Sequence, residues 1–130
     1  MFVETSAIVA IVAKESGYEA LVAAAEAAGL AITSPLNILE ASMVLSSRLD
    51  VDPRQAEVEV RVVLGGAGVA ITEIDDATAS LALDAFARYG KGRGHPARLN
   101  MADCLSYACA KQHRVSLLYV GDDFAQTDLA

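Results

Sequence analysis

The chain has 130 residues, a net charge of −7, a hydrophobic fraction of 54% and a mean hydropathy of +0.37. That length suits one domain, residues 1–130, around one core; no uncharged apolar stretch reaches the roughly eighteen residues of a membrane span, and the surplus of acid argues against a general nucleic-acid binder. The apolar N-terminus has neither a basic region nor a cleavage site, so it reads as structure rather than an export signal, and a cytoplasmic location is expected.

Taken in order, "MFV" predicts a short buried strand that ends at Glu4. Ser6 is a candidate cap for a helix through "AIVAIVAK". "SGYEALVAAAEAAG" predicts a second helix, with Ser16 as cap, Glu19 three residues on and Gly29 as stop. "LAIT" predicts a short strand. "SPLNILEASMVLSSRL" opens with Ser34 as cap and Pro35 in the first turn, and Leu36, Leu39, Met43 and the Val44/Leu45 pair recur at helical spacing. Asp52-Pro53 opens a further helix closed by Gly65-Gly66, although its stretch "EVEVRVV" alternates as a strand would. "GVAITEI" predicts a strand. "DDATASLALDAFARYG" predicts an amphipathic helix whose Leu81, Phe86 and Tyr89 share an apolar face. A glycine-rich basic loop, "KGRGHPARLN", leads to Asn100, the expected cap of a last helix, "MADCLSYACAKQH", and "SLLYV" is the last strand.

Helices alternating with short apolar strands imply an α/β domain with a mainly parallel sheet. Such sheets bind ligands beyond the carboxyl ends of their strands. Cys104 and Cys109 fall on different faces of one helix and are expected to stay reduced. Gly90, Gly92 and Gly94 lack the ending and the flanking order of a P-loop. The four tyrosines, at Tyr18, Tyr89, Tyr107 and Tyr119, are expected in core packing rather than on bases.

The acids carry the chemistry. Glu4 follows the first strand, Asp122 and Asp123 follow the last, Asp103 sits in a first helical turn and Glu40 lies within an apolar helix. Each has an ordinary reading: Asp103 favours a helix dipole, Glu40 shares a solvated face with Asn37 and Arg48, and the Asp122/Asp123 pair turns the chain. Glu4 is harder to dismiss, because a carboxylate behind a buried strand is costly unless partnered. Strand ends and helix starts converge at one edge of a parallel sheet. Carboxylates gathered there stay ionised only around a cation. Oxygen ligands suit Mg²⁺ or Mn²⁺, which can activate water for attack on a phosphodiester. Lys91, Arg93 and Arg98, close to Arg88 and His95, can hold the phosphates of such a substrate.

The segments "FVETSA", "NILEAS", "LNMADCLSYACAK" and "LLYVGDDFAQTDL", in that order, resemble a PIN-domain ribonuclease, most similarly the VapC-type toxins of toxin–antitoxin pairs. The resemblance implies a three-layer α/β/α sandwich and a Mg²⁺- or Mn²⁺-dependent endoribonuclease acting on cellular RNA. It implies a cognate antitoxin that covers the site, a homodimer, and promoter DNA bound only through the antitoxin. Residue by residue, Glu4 matches the first acid, Glu40 the helical glutamate, Asp103 the third acid and Asp122 the fourth, with Asp123 as its alternative. Ser6 matches the hydroxyl residue that supports the metal shell. Position 4 departs from the pattern, which has Asp there. The extra methylene fits a tolerated variant, a weakened enzyme or an engineered change alike, and metal binding with reduced activity is expected. An apolar patch on the third and fourth helices is the expected dimer contact.

Two other readings compete. A phosphorelay receiver domain has this size, but it needs paired acids after the first strand and a late lysine that this chain lacks. A non-catalytic binding module would keep the fold and its partners while Glu4 spoils the chemistry.

Overall fold

The computed structural model describes all 130 residues. Ten elements follow in the order β1 (Phe2–Val3), α1 (Thr5–Val12), α2 (Tyr18–Ala27), β2 (Ile32–Thr33), α3 (Pro35–Leu49), α4 (Pro53–Gly66), β3 (Ala70–Ile71), α5 (Asp76–Tyr89), α6 (Met101–His113) and β4 (Leu117–Leu118). The four strands form one parallel sheet in the order β3-β2-β1-β4.

Consecutive side chains of a strand point to opposite faces, and this builds three layers. Phe2 and Ile32 pack with α5 and α6 through Ala85, Tyr89, Ala108 and Cys109. Val3 and Ala31 pack on the other face with Ile8, Ile38, Leu45 and Val60, from α1, α3 and α4. The result is the expected α/β/α sandwich. Both cysteines are free and buried, and Tyr89 and Tyr107 are core residues.

Local capping explains most helix starts. Ser34 Oγ accepts from the Asn37 amide with Pro35 at the first helical position, and Asp52 caps α4 in the same way. Asp75 with Thr78, and Asn100 with Asp103, form reciprocal capping boxes. Two starts differ from expectation. The cap of α1 is Glu4 and not Ser6, which lies inside the first turn. The cap of α2 is Gly17 in the left-handed region, φ 87°, and not Ser16. The "EVEVRVV" stretch is helical throughout, burying Val60 and Leu64 and leaving Val58 and Val62 in solvent.

The expected apolar stripe of α3 is shifted by one helical step. Ile38, Ala41 and Leu45 are buried, whereas Leu39 and Met43 are exposed. On α5 the buried set is Ala82, Ala85 and Tyr89, and Phe86 is half out. Ala70 and Ile71 are exposed on β3 at the edge of the sheet.

The strand order positions the site. The chain runs from β1 outward to β2 and β3, then returns to place β4 on the opposite side of β1. Helices that follow β1 and β2 lie on one face, and those that follow β3 on the other, so a crevice opens beyond the carboxyl ends of β1 and β4.

Candidate active site

Glu4 leaves β1 at that crevice. Its backbone amide donates to the Leu118 carbonyl at 3.0 Å, which ties position 4 to β4. Its Oε2 accepts from the Ser6 amide at 2.7 Å and from Ser6 Oγ at 2.5 Å. Ser6 Oγ in turn accepts from the Val120 amide at 2.9 Å, so one hydroxyl joins the start of α1 to the segment after β4. Glu is an unusual helix cap, since shorter side chains reach the amides more easily; the added methylene of Glu4 is absorbed by this return to Ser6.

After β4 the chain turns at Gly121, φ 94°, and is pinned again by Phe124, which is buried against Tyr119. Between these anchors the two aspartates part. Asp123 lines the cleft, and its charge acts on Asp103. Asp122 is exposed and does not line the cleft; its carbonyl accepts from Ala125 in a local turn. The fourth acid of the cleft is therefore Asp123, where the sequence favoured Asp122.

The cleft has a volume of about 350 Å³ and gathers Glu4, Glu40, Asp103 and Asp123. Asp103 is held by the first turn of α6, where its Oδ2 accepts from the Asn100 amide at 3.0 Å and Asn100 Oδ1 accepts from the Asp103 amide at 2.9 Å. Burial raises the Asp103 carboxyl to about 6; the charges of Asp123, Glu4 and Glu40 push it the same way, against the Asn100 hydrogen bond. Burial also pushes Glu4 up, with Ser6 pulling it down and Glu40 adding to the rise. Glu40 is half-buried on α3 and does not share a solvated face with Asn37, which is fully buried.

None of these four acids has a Lys or Arg partner. The four ion pairs of the protein are Arg48–Glu15, Arg54–Glu57, Arg61–Glu57 and Lys111–Asp128. The cleft thus concentrates negative charge, and its one lining cation, Arg48, is paired with Glu15 rather than with any of the four. Its donors are all oxygen, which fits a hard divalent cation. No three carboxylate, histidine or cysteine side chains stand close enough together to form a ready-made cage, so a cation held there would have to keep much of its water.

A polar network beneath the cleft escaped the sequence reading. Asn37 Nδ2 donates to Thr5 Oγ1 at 3.0 Å and to Ser106 Oγ at 2.9 Å, and its Oδ1 accepts from Ser34 Oγ at 2.5 Å. One side chain so links α1, α3 and α6. Small polar residues inside apolar helices were the only signal for it. The basic loop lies beside the site: Asn100 borders the cleft and also a neighbouring apolar groove that carries Lys91 and Phe86. Arg93 sits 5.8 Å from the Phe86 ring, and Arg98 is exposed two residues before Asn100.

The PIN-domain profile matches residues 1–129. The chain belongs to the PIN-domain family. Within that family it is similar to a VapC ribonuclease of Rhizobium meliloti, at 40% identity over 98% of each chain. It is equally similar, at 40%, to ribonuclease VapC42 of Mycobacterium tuberculosis, over 99% of this chain and 96% of that one. Ribonuclease VapC28 of the same species is 39% identical over 98% and 93%. The solved structure of M. tuberculosis VapC20, described as a sarcin–ricin loop cleaving toxin, superposes with a TM-score of 0.73 at 17% identity, covering 95% of this chain and 92% of that one. It shows the same PIN fold. Membership in the family leaves the receiver-domain reading without support. No helix is long and apolar enough to cross a membrane.

Proposed function

We propose that this PIN domain is a VapC-type endoribonuclease toxin that uses Mg²⁺ or Mn²⁺ and is held in check by a cognate antitoxin. The observation that carries this reading is the cleft of four carboxylates without ion-pair partners at the sheet's switch point, in a chain so similar to VapC ribonucleases. Asp103 and Asp123 are the residues assigned to hold the cation, with Glu4 and Glu40 on the adjoining walls. When bound, a divalent cation would supply an acidic water and neutralise charge on the phosphate under attack. Glu4, fixed by Ser6, would present its carboxylate to the cation's waters from the β1 side. The Glu40 carboxylate would be a proton acceptor on the α3 side. Lys91, Arg93 and Arg98, none of them in an ion pair, draw the RNA backbone toward the Asn100 edge of the cleft. The test is metal-dependent cleavage of RNA by the wild type and by Asp103→Asn, Asp123→Asn and Asp122→Asn. The first two lose activity and the third keeps it; full activity in Asp103→Asn defeats the reading.

The homodimer is assigned to the exposed apolar strip of α3 and α4, which includes Leu39, Met43, Val58 and Val62. Promoter DNA is bound only through the antitoxin, in keeping with the net charge of −7. Light scattering of Met43→Glu with Val62→Glu checks the strip: a double variant that remains dimeric removes it.

One observation favours a second reading, a binding module without catalysis. The Glu4 carboxylate is already engaged as the cap of α1. Calorimetric titration with Mn²⁺ separates the two, because no binding at millimolar metal supports the module.

A further inference from the structure

The cleft that gathers four unpaired acids is lined by a single cation, Arg48. Glu40, Val44 and Arg48 recur every fourth residue of α3, so they share one helix face, and all three line the cleft. Arg48 stands two turns, about 12 Å, along the axis from Glu40. Its partner is Glu15, in the turn after α1, through a single contact from Nη1 to Oε1 at 3.0 Å. No other hydrogen bond engages the guanidinium. Both side chains are well exposed, at 60% and 42%. Such a pair contributes little to stability and exchanges readily with another anion.

An RNA strand entering this cleft meets carboxylates on every wall, and its phosphates are repelled unless a cation receives them. We infer that Arg48 is that receiver: its guanidinium leaves Glu15 and grips a phosphodiester of the RNA next to the scissile one, while Glu15 holds the empty protein's Arg48 in place of the phosphate. A guanidinium fork suits this exchange, because it can meet carboxylate and phosphate oxygens with the same pair of N–H groups. Arg48 belongs to the end of the cleft beyond Val44, two turns past Glu40, and is assigned as a binding residue and not part of the chemistry. Glu15 sets its availability. The inference rests on the RNA-cleaving reading of the same cleft.

The test is a comparison of the wild type, Arg48→Ala, Arg48→Lys and Glu15→Gln with a short fluorescently labelled single-stranded RNA of mixed sequence. Binding is measured by anisotropy over a salt series, and cleavage is measured with Mn²⁺. Arg48→Ala is expected to weaken binding about fivefold to tenfold and to reduce the slope of log affinity against log salt by about 0.7, one phosphate contact on a single strand. KM rises in step, and kcat changes little. Arg48→Lys keeps the salt slope, and Glu15→Gln tightens binding about twofold to threefold by removing the competing anion. Unchanged affinity and slope in Arg48→Ala overturn the inference while leaving the nuclease intact. Glu15→Gln binding as poorly as Arg48→Ala also overturns it, since the pair then only braces the turn. A wild type that binds RNA without cutting it sinks the nuclease reading alone, and Arg48 is then judged by binding; a wild type that binds no RNA sinks both.

Discussion

Replacing Asp103 by Asn is expected to make the metal-free protein more stable at neutral pH while ending its cleavage of RNA. The two side chains are nearly isosteric, and an Asn oxygen can still accept from the Asn100 amide to complete the capping box. What changes is charge. In the folded protein the Asp103 carboxyl is raised to about 6 from the ordinary 3.8, by burial first and by Asp123, Glu4 and Glu40 beyond that. A raised carboxyl binds its proton more tightly when folded than when unfolded, so stability falls as pH rises from about 4 through about 6. Above pH 7 the cost is complete, and at ~1.4 kcal/mol per pH unit it amounts to about 3 kcal/mol. At pH 4.5 the same linkage leaves only about 1 kcal/mol. Urea denaturation of both proteins in EDTA at pH 7.5 and 4.5 measures this. Asp103→Asn should gain about 3 kcal/mol at the higher pH and about 1 at the lower, equivalent near neutrality to a Tm rise of about 10 °C for a domain of this size. Added Mn²⁺ should restore stability to the wild type and not to the variant. An Asn variant that is less stable than the wild type at pH 7.5 refutes the reasoning, because the cleft would then hold Asp103 as a satisfied structural acid.

Glu4→Asp keeps the charge and shortens the reach by one methylene; the shorter acid is also the better helix cap. Its Mn²⁺-dependent cleavage should rise by about tenfold or more if Glu4 displaces the reacting groups by about an ångström, and equal rates remove the idea that position 4 weakens the enzyme. Asn37→Ala strands the polar groups of Thr5, Ser34 and Ser106 in the interior, and a loss of about 2–3 kcal/mol in denaturant unfolding is expected; a loss under about 0.5 kcal/mol contradicts the network's role. Asp128 is exposed, and the partial desolvation it suffers raises its carboxyl, but hydrogen bonds from Lys111, Tyr107 and Tyr89 outweigh that and bring it to about 2. Its contribution is therefore present above about pH 4 and fades as pH falls toward about 2. After discounting for exposure, Asp128→Ala should cost about 1 kcal/mol at pH 7, read as earlier proteolysis of the C-terminal segment, and an unchanged digestion rate counts against the tie. Gly90 leaves no room for a side chain, because an added Cβ meets the ring and the carbonyl of Phe86. Gly90→Ala should lower Tm by several degrees, about 1–3 kcal/mol of overpacking, and an unchanged Tm shows that Phe86 yields freely.

Much of the architecture was legible because its causes are local. Ser34-Pro35, Asp52-Pro53 and Asn100 each satisfy amides within three residues, so the starts of α3, α4 and α6 could be read from the letters alone. Alternation of apolar strands and helices was enough for a parallel α/β/α sandwich, and the spread of Glu4, Glu40, Asp103 and the Asp122/Asp123 pair was enough to anticipate a shared acidic edge. Tertiary structure decided the rest. Periodicity marks an apolar face but not how wide its neighbour is, which is why Leu39 and Met43 stand in solvent while Ile38 and Leu45 are buried. Two adjacent aspartates are equivalent until Gly121 and Phe124 set the turn that sends Asp123 into the cleft. Glu4 caps α1 through Ser6, and the same Ser6 hydroxyl accepts from Val120, 114 residues away, a link that no local pattern shows. In each case the outcome depends on packing or contacts across the fold, which no local pattern of letters records.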